Sequence, residues 1–488
     1  MTGGESHHHN EHHTTTSRGR MLFGHPVLLQ DWDKESEHAF QYWELFLDLL
    51  LVAAASSVTD QFKENLTLTG LGEFVVFYLV LMNGWLLYTH HITTRFHDNS
   101  LAHSINLFFY IVGFGLAMVN TGYHDVQAFC WGSILQRAAI LLMLTSLTCY
   151  IPRSKYTNGI IACITVGTMA LLLVVALLGK HIEESPIIMA IFWIAAFLEF
   201  YTEVIMIQFL GGQRLVPINI EHTKERLGAL ELVCLGETVL SVTIIYREML
   251  SEGEIGGHHG EADKEELDTA SRPKHAYYWV LFYSFLLVFM FLLLYFHMQP
   301  SPCDHALRRS RFHGASLMIL HKVLGLAILA VGVSVKLVVE SLLAEEELPL
   351  VASQLMGYGV GCSILILFGM RYLHYGGRDS INFDTLVMYY GVDPRLDQIT
   401  TFWWWTVGLA GFVPIVWVLT GFSTHYIQDP LILTGSHALF MFVLVLLESY
   451  FAHVIQDNLI RQEAAITGGG NGEREGFVSS EVSKYDTT

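Results

Sequence analysis

Eight carboxylates fall inside or at the edges of long apolar runs: Glu44, Asp48, Glu199, Glu203, Glu231, Glu237, Glu340 and Glu448. Three basic residues, Arg137, Lys322 and Lys336, share those runs, and His90, His103, His297, His321, His437 and His453 lie in or near them. A charge at the centre of a bilayer costs at least about 2.5 kcal/mol on insertion scales, so an ionisable residue there points to a pathway, a relay or a pair. Eight acids against three bases leave five without a basic partner in the runs. Some of these must be protonated, hydrated or bound to a cation. Histidine titrates near neutrality, so carboxylates and histidines in one bundle suit proton transfer. The same donors would also suit a divalent metal.

Spacing sharpens some of these positions. Glu44 and Asp48 are four apart and share a helical face, close to the start of the first run. They read either as an interfacial pair wetted by headgroups or as a titrating, cation-binding pair. Glu237 lies near the middle of its run in Leu235-Gly236-Glu237-Thr238, where Gly236 permits close backbone approach. It reads as a transport group, or as one half of a salt bridge to Arg137 or a histidine. Arg137 is the expected counter-charge to Glu44, Asp48 and Glu237. Lys336 and Glu340 read as a mutually neutralising i,i+4 pair. Glu199 and Glu448, each with a tyrosine two residues on, read as interhelical glue or as a relay. Trp403, Trp404 and Trp405 read as an interfacial belt.

The elements that must position these groups are membrane helices. The 488 residues are 15% charged and 52% hydrophobic, with a mean hydropathy of +0.41, whereas soluble proteins carry about a quarter charged residues. A span needs about 20 mostly apolar residues. Twelve windows qualify, near 43-60, 71-91, 101-122, 127-150, 158-179, 186-209, 227-246, 276-298, 315-341, 350-373, 400-422 and 432-455. The expected fold is an all-α polytopic transmembrane bundle, in the plasma membrane or an endomembrane. Counted over alternate connections, 18 Lys and Arg lie on the N-terminal side against 6 on the other, which puts both termini in the cytoplasm. The sequon Asn65-Leu66-Thr67, with Asn65 a glycosylation candidate, falls on the outer side.

The net charge of -19 excludes a nucleic-acid footprint, which needs a basic face. The six cysteines lie in or beside apolar segments and form neither a disulfide framework nor a CxxC zinc site. No GxSxG elbow or HExxH motif occurs, so the chain does not read as an enzyme and no cofactor is expected. Partners are the lipid bilayer and a small ion or solute, and the sequence leaves a homodimer open. Residues 1-40 read as a disordered, His-rich cytoplasmic segment. Its histidines, like His258-His259, resemble metal-collecting tracts or plain solvated disorder, and metal binding stays open.

A repeat divides the chain into halves at 41-212 and 213-456, with an acidic outer loop near 248-274 in the second and a disordered cytoplasmic tail over 457-488. Glu44-Leu45 has a partner in Glu231-Leu232, Leu86-Leu87-Tyr88-x-His90 in Leu293-Leu294-Tyr295-x-His297, Arg95-Phe96-His97 in Arg311-Phe312-His313, and Leu198-Glu199-x-Tyr201 in Leu447-Glu448-x-Tyr450. The order is kept, and the offsets grow from 187 to 207, 216 and 249. Six spans per half give two parallel six-helix repeats, related by an axis along the membrane normal.

Trp43-Glu44-Leu45-Phe46-Leu47-Asp48-Leu49, the stretch from Trp85 to Asp98 with Arg95-Phe96, and His222-x-x-Glu225-Arg226 leading to Leu235-Gly236-Glu237 resemble the three signatures of the low temperature requirement A family of membrane proteins. The resemblance covers roughly residues 40 to 245, and the later spans match by hydropathy alone. His97 stands where the family usually has an acid, with Asp98 beside it as a substitute. The resemblance implies a multi-pass membrane protein and no particular chemistry. From the residues, the expected function is an ion or solute translocator. Glu44, Asp48 and Glu237 titrate or bind a cation in it, and Arg95, Asp98, His222, Glu225 and Arg226 form a cytoplasmic gate. The alternatives are a receptor or scaffold with structural buried charges, and an intramembrane metalloenzyme.

Overall fold

A computed structural model describes residues 26-29, 42-98, 100-182, 185-210, 214-255, 275-300, 305-344, 347-375, 402-403, 405-420 and 428-468. The His-rich tract, His258-His259, most of the acidic loop and the end of the C-terminal tail lie outside them.

The chain folds as helices α1 (Tyr42–Glu64), α2 (Leu68–Thr89), α3 (Leu101–Met118), α4 (Val126–Tyr150), α5 (Lys155–Leu178), α6 (Pro186–Phe200), α7 (Thr202–Phe209), α8 (Ile220–Ile255), α9 (His275–His297), α10 (Ala306–Arg309), α11 (Arg311–Leu343), α12 (Leu350–Tyr375), α13 (Phe412–Leu419) and α14 (Pro430–Gly468). Polar residues between apolar runs set several starts. Thr67 accepts from the Gly70 amide at the start of α2, Ser100 from the His103 amide at α3, and Ser310 from the His313 amide at α11, each satisfying a donor the first turn leaves open. Thr67 is the hydroxyl residue of the sequon, and it also donates to Asn65 Oδ1 at 2.7 Å.

Ten of these helices are long and apolar enough to cross a membrane. The sixth expected window is broken: α6 and α7 meet the criterion only as a pair and are bent by 60°. At the bend the Thr202 hydroxyl donates to the Glu199 carbonyl at 2.7 Å, a side-chain competitor for the helical ladder. The eleventh window holds a shorter apolar helix, Trp405–Leu419. The helices are long enough for ten spans, or eleven with the bent pair counted as one.

The seventh window begins too late. Hydropathy favours 227-246, but α8 and its candidate span begin at Ile220, because Asn219 caps the helix through its side chain to the His222 amide at 2.9 Å. His222 and Arg226, counted from sequence as loop residues, therefore lie on the helix and are buried.

α2 is the most enclosed span and α3 the least. α1 packs on α2 and α8, α8 on α11, α3 on α4, α11 on α12, and α9 on α14. One departure from an all-helical chain falls in the N-terminal segment expected to be disordered. Val27–Leu28 pairs antiparallel with Phe96–His97, with Val27 opposite His97 and Leu28 opposite Phe96, and the Leu29 amide donates to the Arg95 carbonyl at 2.9 Å. This two-stranded ribbon ties the N-terminus to the connection between α2 and α3.

Candidate functional site

α1 and α8 meet along a seam with a constant register. Glu44 Oε1 lies 3.0 Å from His222 Nε2, Arg226 Nη1 lies 3.1 Å from Asp48 Oδ2, and Thr59 donates to Glu237 Oε1 at 2.9 Å. Each pair is 178 residues apart, so the two helices run parallel. The i,i+4 couple Glu44/Asp48 thus faces the i,i+4 couple His222/Arg226, acids against bases, one helical turn apart.

At the other end of the seam α11 joins. Lys336 Nζ lies 2.7 Å from Glu237 Oε1 and donates to Thr59 Oγ1 and Asp60 Oδ1, both at 2.7 Å. Ser241 adds a donor to Glu237 Oε1 at 2.7 Å. Lys336 therefore does not neutralise Glu340, which pairs instead with Lys63 at 2.5 Å. Gly332 allows this closeness: a Cβ there would stand 2.7 Å from Thr238 Oγ1 and 3.0 Å from Glu237 Oε2. Between the two clusters the seam is apolar, with a small cleft lined by Leu51, Ala54 and Val58 from α1, Leu230 and Val233 from α8, and Tyr78 from α2.

Arg137 lies elsewhere. It is fully buried and forms a two-pronged pair with Glu199, Nε to Oε1 at 2.9 Å and Nη2 to Oε2 at 2.6 Å, with a further bond to the Val80 carbonyl. It is the counter-charge of Glu199 and not of Glu44, Asp48 or Glu237. Its planar fork matches one carboxylate best, and that carboxylate comes from α6. Glu448 pairs with Arg371 and accepts from Trp403 Nε1 at 2.6 Å. Trp403 is accordingly buried and stacked on Phe451, which does not fit the expected aromatic belt, while Trp405 is exposed and Trp404 lies outside the described residues.

The remaining motif residues gather at the α2–α3 connection. Arg95 is buried and donates to the His90 carbonyl at 3.0 Å. Asp98 accepts from the Ser100 amide at 2.8 Å and faces His103 at 3.8 Å. Glu225 is the exposed member, with Oε2 3.5 Å from His222 Nδ1. Burial pulls the Arg95 guanidinium down to about 10, against the opposing charge of Glu203. Burial also holds His91 well below the usual imidazole range, helped by His90, Arg95 and Lys322. Glu203 itself pairs with Lys322 at 3.2 Å.

The apparent shortage of bases is largely filled by residues assigned to loops. Arg226, Arg371, Lys63 and His222 supply partners to Asp48, Glu448, Glu340 and Glu44. Of the matched i,i+4 couples, the shared face of Glu44 and Asp48 was legible from spacing, while their pairing with His222 and Arg226 was not, Arg137 having been expected there. Thr59 and Lys336 as partners of Glu237, and Asp60 as a second partner of Lys336, were not legible either, since nothing local ties them together. Among the described residues no group of three or more His, Cys, Asp or Glu is arranged to hold a metal ion.

A family model described as Bacterial low temperature requirement A protein matches residues 40–460. Neither the curated proteins nor the solved structures include a significant match.

Proposed function

The chain belongs to the low temperature requirement A family, and from that premise we propose that it is an ion translocator, moving protons or a small cation along the seam between α1 and α8. The carrying observation is the layout of that seam: two ionic clusters on one pair of parallel helices, separated by an apolar cleft. Asp48 and Thr59 are eleven residues apart on α1, roughly 16 Å at 1.5 Å per residue, about half the thickness of the hydrocarbon core. Apolar constrictions close pathways by excluding water. In this reading the structure is the closed state. Glu44, Asp48, His222 and Arg226 form the inner latch, and Glu237 with Lys336 forms the outer one.

The topology proposed with it has both termini in the cytoplasm. Parallel α1 and α8 need an odd number of crossings between them; α2 to α5 supply four, and the bent α6–α7 pair acts as the fifth. That divides the chain into two halves of like orientation. The shorter apolar helix containing α13 would be the eleventh crossing and α14 the twelfth.

The direct test is proton flux into liposomes containing the purified full-length protein, driven by a pH gradient. Glu237→Gln is expected to lower flux by about tenfold or more while the protein remains folded, since it removes the buried one of the two anions paired with Lys336 and leaves Asp60. Unchanged flux in a folded Glu237→Gln protein would remove Glu237 from the mechanism. The pairing of Arg137 with Glu199 and of Arg371 with Glu448, away from the seam, favours a second reading in which buried charges fix helix packing for a receptor or scaffold. That reading expects neutralisation of Glu44, Asp48 or Glu237 to impair folding without a separable transport defect.

A further inference from the structure

Among the described residues, seven of the eight acids singled out from the sequence have a basic or histidine partner, and Glu231 is the exception. It is 1% exposed, and among the described residues neither of its carboxylate oxygens has a hydrogen-bond or ionic partner. It stands between the two clusters, five residues beyond Arg226 and six before Glu237, roughly 7 and 9 Å along the helix axis. A carboxylate stripped of water and of partners is strongly unfavourable unless it takes up a proton or a cation.

The surroundings distinguish those two options. Tyr78 on α2, Tyr295 on α9 and Cys234 on its own helix lie within electrostatic reach of Glu231. At this depth α1 brings only apolar side chains to the adjoining cleft. α11 stands behind the tyrosines: Tyr78 donates to the Lys322 carbonyl at 3.0 Å, and the Lys322 ammonium is taken by Glu203 and by the Phe200 carbonyl. The Tyr295 hydroxyl lies 3.2 Å from His321 Nε2. Nδ1 of the same ring is 2.9 Å from the Leu317 carbonyl, which can only accept, so Nδ1 carries the hydrogen and Nε2 accepts from Tyr295. A metal cation would want several oxygen or nitrogen ligands, and among the described residues no group of three or more His, Cys, Asp or Glu is arranged to supply them, whereas a proton needs only the carboxylate itself.

The same three residue types meet in the first half. Tyr88 lies within electrostatic reach of Glu44, and its hydroxyl is 3.1 Å from His103 Nε2. Glu44 and Tyr88 are the repeat counterparts of Glu231 and Tyr295. Their depths differ. The repeat offset of Glu44 and Glu231 is 187, but α1 and α8 face each other at an offset of 178. The second constellation is therefore nine residues, roughly 13 Å, farther along the seam than the first.

We propose that Glu231, Tyr295 and His321 form a second proton-binding site, deep in the membrane and staggered from the Glu44, Tyr88 and His103 site near the inner latch. The Glu231 carboxyl holds the proton. Because neither carboxylate oxygen is hydrogen-bonded among the described residues, the proton passes to the Tyr295 oxygen once the carboxyl turns to meet that oxygen, as the tyrosine's own proton moves to His321 Nε2. This leaves a carboxylate and an imidazolium, and the reverse step restores both neutral groups. The inference deepens the translocation reading and rests on it for the direction in which the proton is passed on.

Infrared spectroscopy of the full-length protein in lipid at neutral pH, alongside the liposome flux assay, tests this. The expected result is a protonated-carboxyl stretching band that Glu231→Gln abolishes and Glu44→Gln leaves in place. Glu231→Gln should also lower proton flux by about tenfold or more. Tyr295→Phe keeps both Glu231 and the packing volume, and should shift the band in frequency even if Glu231→Gln fails to fold. A band insensitive to both substitutions overturns the site, whatever the flux. A band that responds as expected in a protein without flux upholds the site and removes the translocation reading.

Discussion

Glu44 and His222 meet at 3.0 Å across α1 and α8, 178 residues apart in the chain, with both side chains almost fully buried. The same offset relates Asp48 to Arg226 and Thr59 to Glu237. One register therefore aligns every polar contact on the seam, and a slip of either helix would break all of them together. The pairs act as a ruler for the relative height of the two helices.

Removing one member of the Glu44 and His222 pair should be costly. Breaking a buried ionic pair from one side typically destabilises by about 3–5 kcal/mol, so Glu44→Ala is expected to lower the thermal midpoint in detergent markedly. Glu44→Gln with His222→Gln, which removes both charges and keeps hydrogen-bonding groups, should recover much of the loss. A double variant as unstable as the sum of the singles would show that the two residues are not coupled.

The Arg137 and Glu199 pair should separate structure from transport. Arg137→Met alone strands Glu199 in the core and should destabilise by about 3 kcal/mol or more, whereas Arg137→Met with Glu199→Leu replaces the pair by apolar volume and should be close to neutral. Flux through the double variant is expected to match the parent. Loss of flux from that variant, in a stable protein, would bring this pair into the pathway.

Gly332→Ala probes the outer latch by volume alone. The added methyl would press on Thr238 Oγ1 at 2.7 Å and on Glu237 Oε2 at 3.0 Å, and overpacking of this kind costs about 1–3 kcal/mol. The expected readout is a lower thermal midpoint. Gly236→Ala is the control, since a Cβ there meets no neighbour within 4 Å; equal effects at the two glycines would contradict the close approach of α11 to Glu237.

His305, in the turn before α10, carries a pH dependence with a definite sign. Burial, His321, Lys224 and Arg308 push its imidazole down to about 3 from an ordinary value of 6.5. Its Nδ1 accepts from the Leu307 amide at 3.3 Å, which a protonated ring cannot do. Between those two values the unfolded chain binds a proton that the folded chain does not. Its contribution is therefore full above about pH 6.5 and is lost as pH falls towards 3. Thermal midpoints measured from pH 7 to pH 5 should fall less steeply in His305→Asn, which keeps a capping acceptor and does not titrate; identical slopes would remove His305 from the acid response.

Much of the architecture was readable from one dimension, because lipid imposes a simple rule. Backbone groups in hydrocarbon must bond within their own helix, so apolar runs of sufficient length announce helices, and the polar residues between them announce caps such as Thr67, Ser100 and Ser310. The buried ionisable residues were legible for the same reason, but the matching of Glu44/Asp48 with His222/Arg226 was not, and Arg137 was expected in their place. Hydropathy also misled in a consistent way. It stops a span at the first charge, so it excluded His222 and Arg226 from α8, although a charge paired across the seam is no longer a charge in lipid.

Only the tertiary structure could decide who pairs with whom. Electrostatic partnership depends on distance through space, and neither Lys336 with Glu237 nor Arg137 with Glu199 has a local signature linking its members. By composition the eight intramembrane acids were short of bases. Packing brings seven of them to partners, adding Lys63, His222, Arg226 and Arg371 to the three bases within the runs, and leaves Glu231 as the one whose charge the fold does not balance.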